Sequence, residues 1–439
     1  MDLLVESISR QLYHLLNRKP VEEGHLQDVR LFMLDWAGCF AAGTVAQQGT
    51  ILGRYHSKWA GDGLLQQVFL MAAQSHITET DDLHRGSVTH PACVVFPVAW
   101  HLSRFLKKNF HDCLVASLHG YETMCRVGEA LGEEHYKIFH NTATAGVYGA
   151  AATASALLGL NEDQFVWAMG NAGTQAAGLW QFNEDAAMSK HLHAGHAAEA
   201  GLKAALLAAE NFTGSEKIFE GKKGFFAGLC LNPKPEAVTA ESAGWKLNET
   251  SIKPYPSCRH THPAIDAALD IRERLNLAVS DTKEIENIEI NTYETALRVT
   301  DNPSPETTFA AKFSIQYCVC LALLKGFPML PHFEGRELIG NASTGLIEKT
   351  AVRTDEKFNE AYPKNWGAKV TVSTGGMKFE SEIKSAKGDP ENPLSNEEMM
   401  TKFAGLMTYA GAKKHTSHQL SKWILEADSS TLVPELIIK

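Results

Sequence analysis

The sequence predicts a mainly α protein: a large all-helical domain with a second, smaller α+β domain. Apolar residues recur with helical spacing from the N-terminus to about residue 265, whereas strict alternation is confined to two stretches, 283–293 and 367–388. With 439 residues and 44% hydrophobic composition, the chain is also long for a single core, so two domains are expected.

Residues 22–42 place Val29, Leu31, Phe32, Leu34, Trp36 and Phe40 on overlapping faces of one amphipathic helix, which Gly43 is expected to end as a left-handed cap. The stretch 91–107 opens on Pro91, tolerated in a first helical turn, and 110–130 reads the same way. Alanine and leucine dominate 143–160 and 194–210, and small-residue helices of this kind pack closely and centrally. Beyond residue 268, KEIENIEINTY (283–293) alternates isoleucine with polar residues, and GAKVTVSTGGMKFESEIKSAKG (367–388) reads as two strands joined by a Gly375-Gly376 turn. Helices are expected over 313–326 and 335–351, and again in the last 40 residues, where Phe403, Leu406, Met407 and Tyr409 share a side. The expected partition is 1–267 plus 401–439 for the helical domain and 268–400 for the α+β domain.

The formal charge of -10, from 41 basic and 51 acidic side chains, disfavours polyanion binding, so no nucleic-acid partner is expected. Apolar runs such as VYGAAATASALLGL fall short of the roughly 20 residues needed to span a bilayer, and MDLLVESISRQLYHLL does not read as a leader. The expectation is therefore a cytoplasmic location with no membrane partner. The eight cysteines are scattered without a CxxC pair and read as small buried hydrophobes in a reducing compartment.

Side chains capable of chemistry gather in four clusters. TDDLHRGSVTHP (80–91) has paired aspartates and two histidines, and His140 precedes NTATAG at a helix start. MSKHLHAGHAAEAG (188–201) packs Lys190, His191, His193 and His196 into two turns, while KPYPSCRHTHPAID (253–266) joins Lys253, Cys258, Arg259, His260 and His262 to a helix N-terminus. Arg259 would repel a cation, and no HExxH or comparable partner motif occurs, so no metal is expected. No GxGxxG succeeds a strand and no phosphate loop is present, so no cofactor is expected either. The lysines and Arg259 suit a small carboxylate, and the histidines suit proton transfer near neutral pH.

Together these clusters resemble the MmgE/PrpD family. The resemblance runs in family order through GYETMCRVGEALG (120–132), FHNTATAGVYGAAATASALLGL (139–160), the 173–208 segment, FTGSEKIFEGKKGFF (212–226), KPYPSCRHTHPAIDAAL (253–269) and AKFSIQYCVCLAL (311–323). It implies a large helical domain formed by both chain ends, a smaller α+β domain, a homodimer, and a cofactor-free active site in the interdomain cleft. Carried over by position, it implies site roles for Asp81, Asp82, His90, His140, Lys190, His193, Lys253, His262 and Tyr317. Of these, His90, His140, His193, His262 and Tyr317 are the candidate proton-transfer groups; Asp81, Asp82, Lys190, Lys253 and Arg259 are the candidate substrate-binding groups.

Three departures from the family pattern stand out: FHNTA in place of FHPTG, Cys258 where decarboxylase-like members carry a second histidine, and AAQSHITET before the aspartates. They point away from cis-aconitate decarboxylation. The expected activity is cofactor-independent removal of a proton alpha to a carboxylate in a small polycarboxylate, favoured as epimerisation of iminodisuccinate. A 2-methylcitrate dehydratase-like or related lyase is the alternative, and a non-catalytic helical scaffold is the alternative of another class.

Overall fold

The computed structural model describes residues 6–185, 187–276, 284–334 and 344–438. Its longer helices are α1 (Ile8–Arg18), α2 (Glu23–Val45), α3 (Leu64–Ser75), α4 (Ala92–Phe105), α5 (Phe110–Ala130), α6 (Asn141–Leu158), α7 (Glu162–Gly173), α8 (Ser189–Ala209), α9 (His262–Leu275), α10 (Ile315–Lys325), α11 (Asn396–Tyr409) and α12 (Lys414–Glu426). One sheet has four strands, β1 (Ile285–Thr292), β2 (Thr350–Thr354), β3 (Ala368–Thr374) and β4 (Met377–Ile383), in the order β2-β1-β3-β4. Two compact units result: one holds 1–77, 81–250 and 397–439, the other 78–80 and 251–396.

In the helical unit, helix starts are set by local capping. Glu22 and His25 form a reciprocal capping box at α2, Asn109 accepts the Asp112 N–H at α5 (2.8 Å), and Asn161 with Gln164 repeats the box at α7. The alanine-rich α6 and α8 pack together at the centre, with α5 and α7 against α6 and α3 against α8. Trp36 anchors the core: its indole N–H donates to Ser75 Oγ (2.9 Å) and its ring meets Phe96 and Trp100. The chain's end is tied back by polar groups. Arg30 of α2 donates to the Ile424 and Ala427 carbonyls at the end of α12, both at 2.9 Å, and Lys402 of α11 pairs with the buried Asp35. No single helix among the described residues is long and apolar enough to cross a membrane.

Gly43 lies inside α2, not at its end. A Cβ there would stand 1.9 Å from the Gln74 carbonyl oxygen, so the glycine serves a close backbone approach to α3 instead of a left-handed cap.

In the α+β unit, β3 and β4 form the expected hairpin, with Gly375 and Gly376 both at positive φ (56° and 71°), the requirement of a tight two-residue turn. Ile288, Ile290, Val370 and Val372 join Ala264, Ile265, Ala268 and Ile271 of α9 and the apolar residues of α10 in one core. Because α9 packs on β3, β4 and α10, the segment from 251 onward belongs with the sheet, and the boundary falls at 250 instead of 267. The expected helix over 335–351 is corrected at its end: Thr350 starts β2, which runs parallel to β1 with Ile288 opposite Thr350. Its first part, 335–343, lies outside the described residues.

Substituting Gly43→Ala forces a methyl group into the Gln74 backbone. A loss of about 2–3 kcal/mol is expected, by analogy with overpacked cores, read as a lower urea midpoint for the helical signal; an unchanged midpoint would contradict the close-approach argument.

Candidate functional site

In the helical unit the loop after α3 folds back on itself and delivers three of the sequence's candidates to one place. Asp82 is fully buried: its Oδ1 accepts the Ala92 N–H at the start of α4 (3.1 Å) and its Oδ2 accepts the Tyr121 hydroxyl (2.8 Å). Burial first, and then the neighbouring Asp81, push its carboxyl well above the ordinary range. Both oxygens are therefore committed to shaping the loop, which corrects the expectation that Asp82 binds substrate. Asp81 turns to the imidazoles. Its Oδ2 lies 2.6 Å from His76 Nδ1 and 3.4 Å from His90 Nδ1, so this carboxylate orients histidines. His90 Nδ1 also sits 2.5 Å from the Asp82 carbonyl oxygen, to which it donates.

His140 forms the N-terminal boundary of α6, and its backbone N–H donates to the Gly178 carbonyl (3.0 Å). Its ring stacks nearly parallel on His76 at 5.5 Å and stands edge-on to Trp180 and Phe182. His193, from the second turn of α8, approaches His140 with Nδ1 to Nδ1 3.3 Å, so one ring donates to the other. Burial lowers both: His140 falls well below the usual histidine range and His193 falls to about 4, with His76 and Lys190 adding to each shift. Both are neutral at pH 7. Lys190, in the first turn of α8 and 3% exposed, brings its ammonium close enough to act on both. His191 Nδ1 donates to the His76 carbonyl (3.1 Å), and His196 bonds the Gln175 carbonyl (3.0 Å), so these two histidines support the backbone.

The structure thus gathers His90, His140, Lys190, His193 and Asp81, and adds His76, which the sequence does not single out. Its signal is modest: a histidine at the end of an apolar helix, five residues before an aspartate. Donor atoms of His76, Asp81 and His90 lie within 4.8 Å of one another, close enough to share a cation. Asp81 is the sole anionic group of the three, His76 and Asp81 are already bonded to each other, and the Lys190 ammonium acts on the adjoining His140 and His193, so the charge balance suits an anion better.

The remaining candidates lie in the α+β unit. Lys253 is fully buried; its Nζ has no hydrogen-bond partner among the described residues and stands 3.5 Å from Glu79 Oε2. Glu79 sits in the left-handed region (φ 60°), and its neighbour Thr78 is pinned through its carbonyl by Lys312 Nζ at 2.9 Å. Arg259 behaves otherwise than expected. It pairs with the buried Asp389, donates to the Lys387 carbonyl (3.1 Å) and donates to His262 Nδ1 (2.7 Å). His262 Nε2 in turn donates to the Ser257 carbonyl (3.2 Å), so both ring nitrogens are engaged. The Tyr317 hydroxyl donates to the His332 carbonyl (3.0 Å), and burial raises its pKa further. Arg259 is therefore a structural tie, and neither His262 nor Tyr317 is presented as a proton acceptor.

A protein with this organisation is of the MmgE/PrpD class. The family's N-terminal domain matches residues 13–238 and its C-terminal domain residues 255–426, and the chain belongs to the MmgE/PrpD family. It is 28% identical over 385 residues to the cis-aconitate decarboxylase-like protein oryM of Aspergillus oryzae, covering 82% of this chain and 78% of that protein. It is 27% identical over 351 residues to cis-aconitate decarboxylase of Mus musculus, covering 76% and 70% of the two chains. Similarity to 2-methylcitrate dehydratase of Salmonella typhimurium is 24% over 237 residues, covering 52% and 49%.

This geometry has two measurable consequences. Arg259→Ala strands Asp389 in the interior and is expected to cost about 3–5 kcal/mol, measured by denaturant unfolding of the full chain; a loss confined to substrate affinity, at unchanged stability, would restore the recognition role. The histidine pair also sets an acid limit. An unfolded histidine binds its proton near pH 6.5, whereas His193 in the fold holds off until about 4, so the unfolded chain binds more protons in that window and stability falls as pH drops through it. His193→Gln is expected to flatten this slope by up to about one proton in urea midpoints taken from pH 7 to 4; an unaltered slope would contradict the assignment.

Proposed function

We propose that the protein is a cofactor-independent lyase for a small polycarboxylate, in which the histidine cluster of the helical unit moves a proton at the carbon next to a carboxylate. The observation that carries this reading is the gathering of buried His76, His90 and His140, with half-buried His193, beside the Lys190 ammonium. Neutral imidazoles accept and return protons near neutral pH. Removing a proton alpha to a carboxylate drives negative charge onto that carboxylate, and a buried ammonium is worth most where such charge develops. Lys253 fits a second carboxylate-binding role in its own unit, because its Nζ makes no hydrogen bond among the described residues and its ion pair with Glu79 is long (3.5 Å).

A lyase is favoured over the epimerase that the sequence departures suggested, because the similar proteins are named as decarboxylases, or decarboxylase-like, and as dehydratases. Both lyase reactions share the proton movement at carbon with epimerisation. In dehydration the pair left by the departing proton forms a double bond as the carbon–oxygen bond breaks; in decarboxylation the bond to a carboxylate breaks, carbon dioxide leaves, and a proton is delivered to the carbon that keeps the electron pair.

The test offers cis-aconitate, 2-methylcitrate and the separate stereoisomers of iminodisuccinate to chelator-treated protein in deuterated buffer, with proton spectra and carbon dioxide release as the readouts. Alkene formation or carbon dioxide release from a tricarboxylate, undiminished by chelation, is the expected result. Lys190→Met should raise KM, and His140→Asn should lower kcat by about a hundredfold or more. Interconversion of iminodisuccinate stereoisomers, with neither alkene nor carbon dioxide formed from any tricarboxylate, would reinstate epimerisation.

A further inference from the structure

We infer that His76 is the proton-transferring base of this site and that Asp81 is the positioning residue that holds its imidazole. The inference rests on the proposed reading of the cluster as one that moves a proton at carbon, and it names the group that does so.

Three observations set His76 apart from its neighbours. Both it and Asp81 are fully buried, and Asp81 Oδ2 lies 2.6 Å from His76 Nδ1. With Nδ1–H donating to the carboxylate, Nε2 is the nitrogen left to exchange a proton with a substrate. Secondly, His76 Nε2 is buried with no hydrogen-bond partner among the described residues. An unpaired buried nitrogen is costly, so such an atom calls for an explanation in function. Thirdly, the ring sits at the heart of the cluster, 4.8 Å from His90 and 5.5 Å from His140 by ring centroids.

The other imidazoles are placed differently. His90 and His191 use Nδ1 on backbone carbonyls, of Asp82 and His76 respectively. His140 and His193 face each other, with Lys190 and further imidazoles as their electrostatic neighbours. A proton arriving on either adds positive charge beside an ammonium. A proton arriving on His76 makes an imidazolium in contact with the Asp81 carboxylate, where the new charge is offset. The groups facing His76 are Asp81, His90, His140 and His191, and the Lys190 ammonium acts on His140 among them.

The step is a simple transfer. The carbon–hydrogen bond breaks, its proton moves to His76 Nε2, and the electron pair remains on carbon, delocalised into the adjoining carboxylate and stabilised there by Lys190. In the dehydrating direction that pair then forms the carbon–carbon double bond as the carbon–oxygen bond breaks, and the hydroxide leaves as water with the proton that His76 returns. No redox partner or further reactant is needed.

The test uses the full chain and the tricarboxylate that it turns over, with His76→Gln and Asp81→Asn each measured for kcat, KM, deuterium wash-in at carbon, and calorimetric binding of the substrate or its product. His76→Gln is expected to lower kcat by about a hundredfold or more, to abolish wash-in, and to leave affinity within about threefold. Asp81→Asn, which keeps the shape of the side chain, is expected to lower kcat by about tenfold or more at unchanged KM, and it carries the test alone should His76→Gln not fold. A folded variant that keeps kcat and wash-in within about threefold of the parent, or a loss seated in KM, overturns the inference while leaving the proposed function intact. A parent protein that turns over none of the polycarboxylates, yet folds, overturns both.

Discussion

The arrangement depends on one constraint: several imidazoles are withdrawn from water together, with few carboxylates to balance a charge on them. Water stabilises an imidazolium far better than a protein interior does, so burial decides the protonation state before any partner is considered. His140 and His193 answer by staying neutral and sharing a hydrogen bond, while Asp81 supplies a negative charge where His76 and His90 can both reach it. The surrounding structure serves that placement. The paired aspartates divide the labour, Asp82 stitching the loop to α4 and α5 and Asp81 aiming rings.

Small side chains make this concentration of function possible. Gly43 lets α2 meet the end of α3, from which His76 emerges, and the alanine faces of α6 and α8 bring the start of one helix and the first turns of the other into contact. A bulkier α6–α8 seam would separate His140 from His193. Lys190 and Lys253 are both held away from solvent, and in the proposed reading a carboxylate would gain more from them than from a surface cation.

Much of the fold was legible because its signals are local. Pro91 precedes α4, the stretch 110–130 shows its helical spacing, and adjacent glycines at 375 and 376 can scarcely be anything but a hairpin turn. The features that failed to show were non-local. β2 carries little alternation of its own and becomes a strand through parallel pairing with β1, some sixty residues earlier, and the boundary at 250 depends on where α9 packs. The candidate site divides along the same line. Clusters of histidine and lysine were visible as composition, but Arg259 finds its partner Asp389 130 residues away, and that ion pair removes both it and His262 from the chemistry. His76 stayed hidden for the opposite reason: its sequence signal is only a histidine at a helix end five residues before an aspartate, and the returning loop is what brings Asp81 to its ring.

The central claim is that burial keeps His140 and His193 neutral at pH 7 and that Asp81 holds the His76 ring through Nδ1. Nitrogen chemical shifts of histidine-labelled protein at pH 7, assigned by single substitutions, address it without any substrate. His140 and His193 are expected to be neutral, and His76 to carry a proton on Nδ1, the nitrogen that faces Asp81. An imidazolium at His140 or His193, or a His76 tautomer protonated on Nε2 alone, would contradict it.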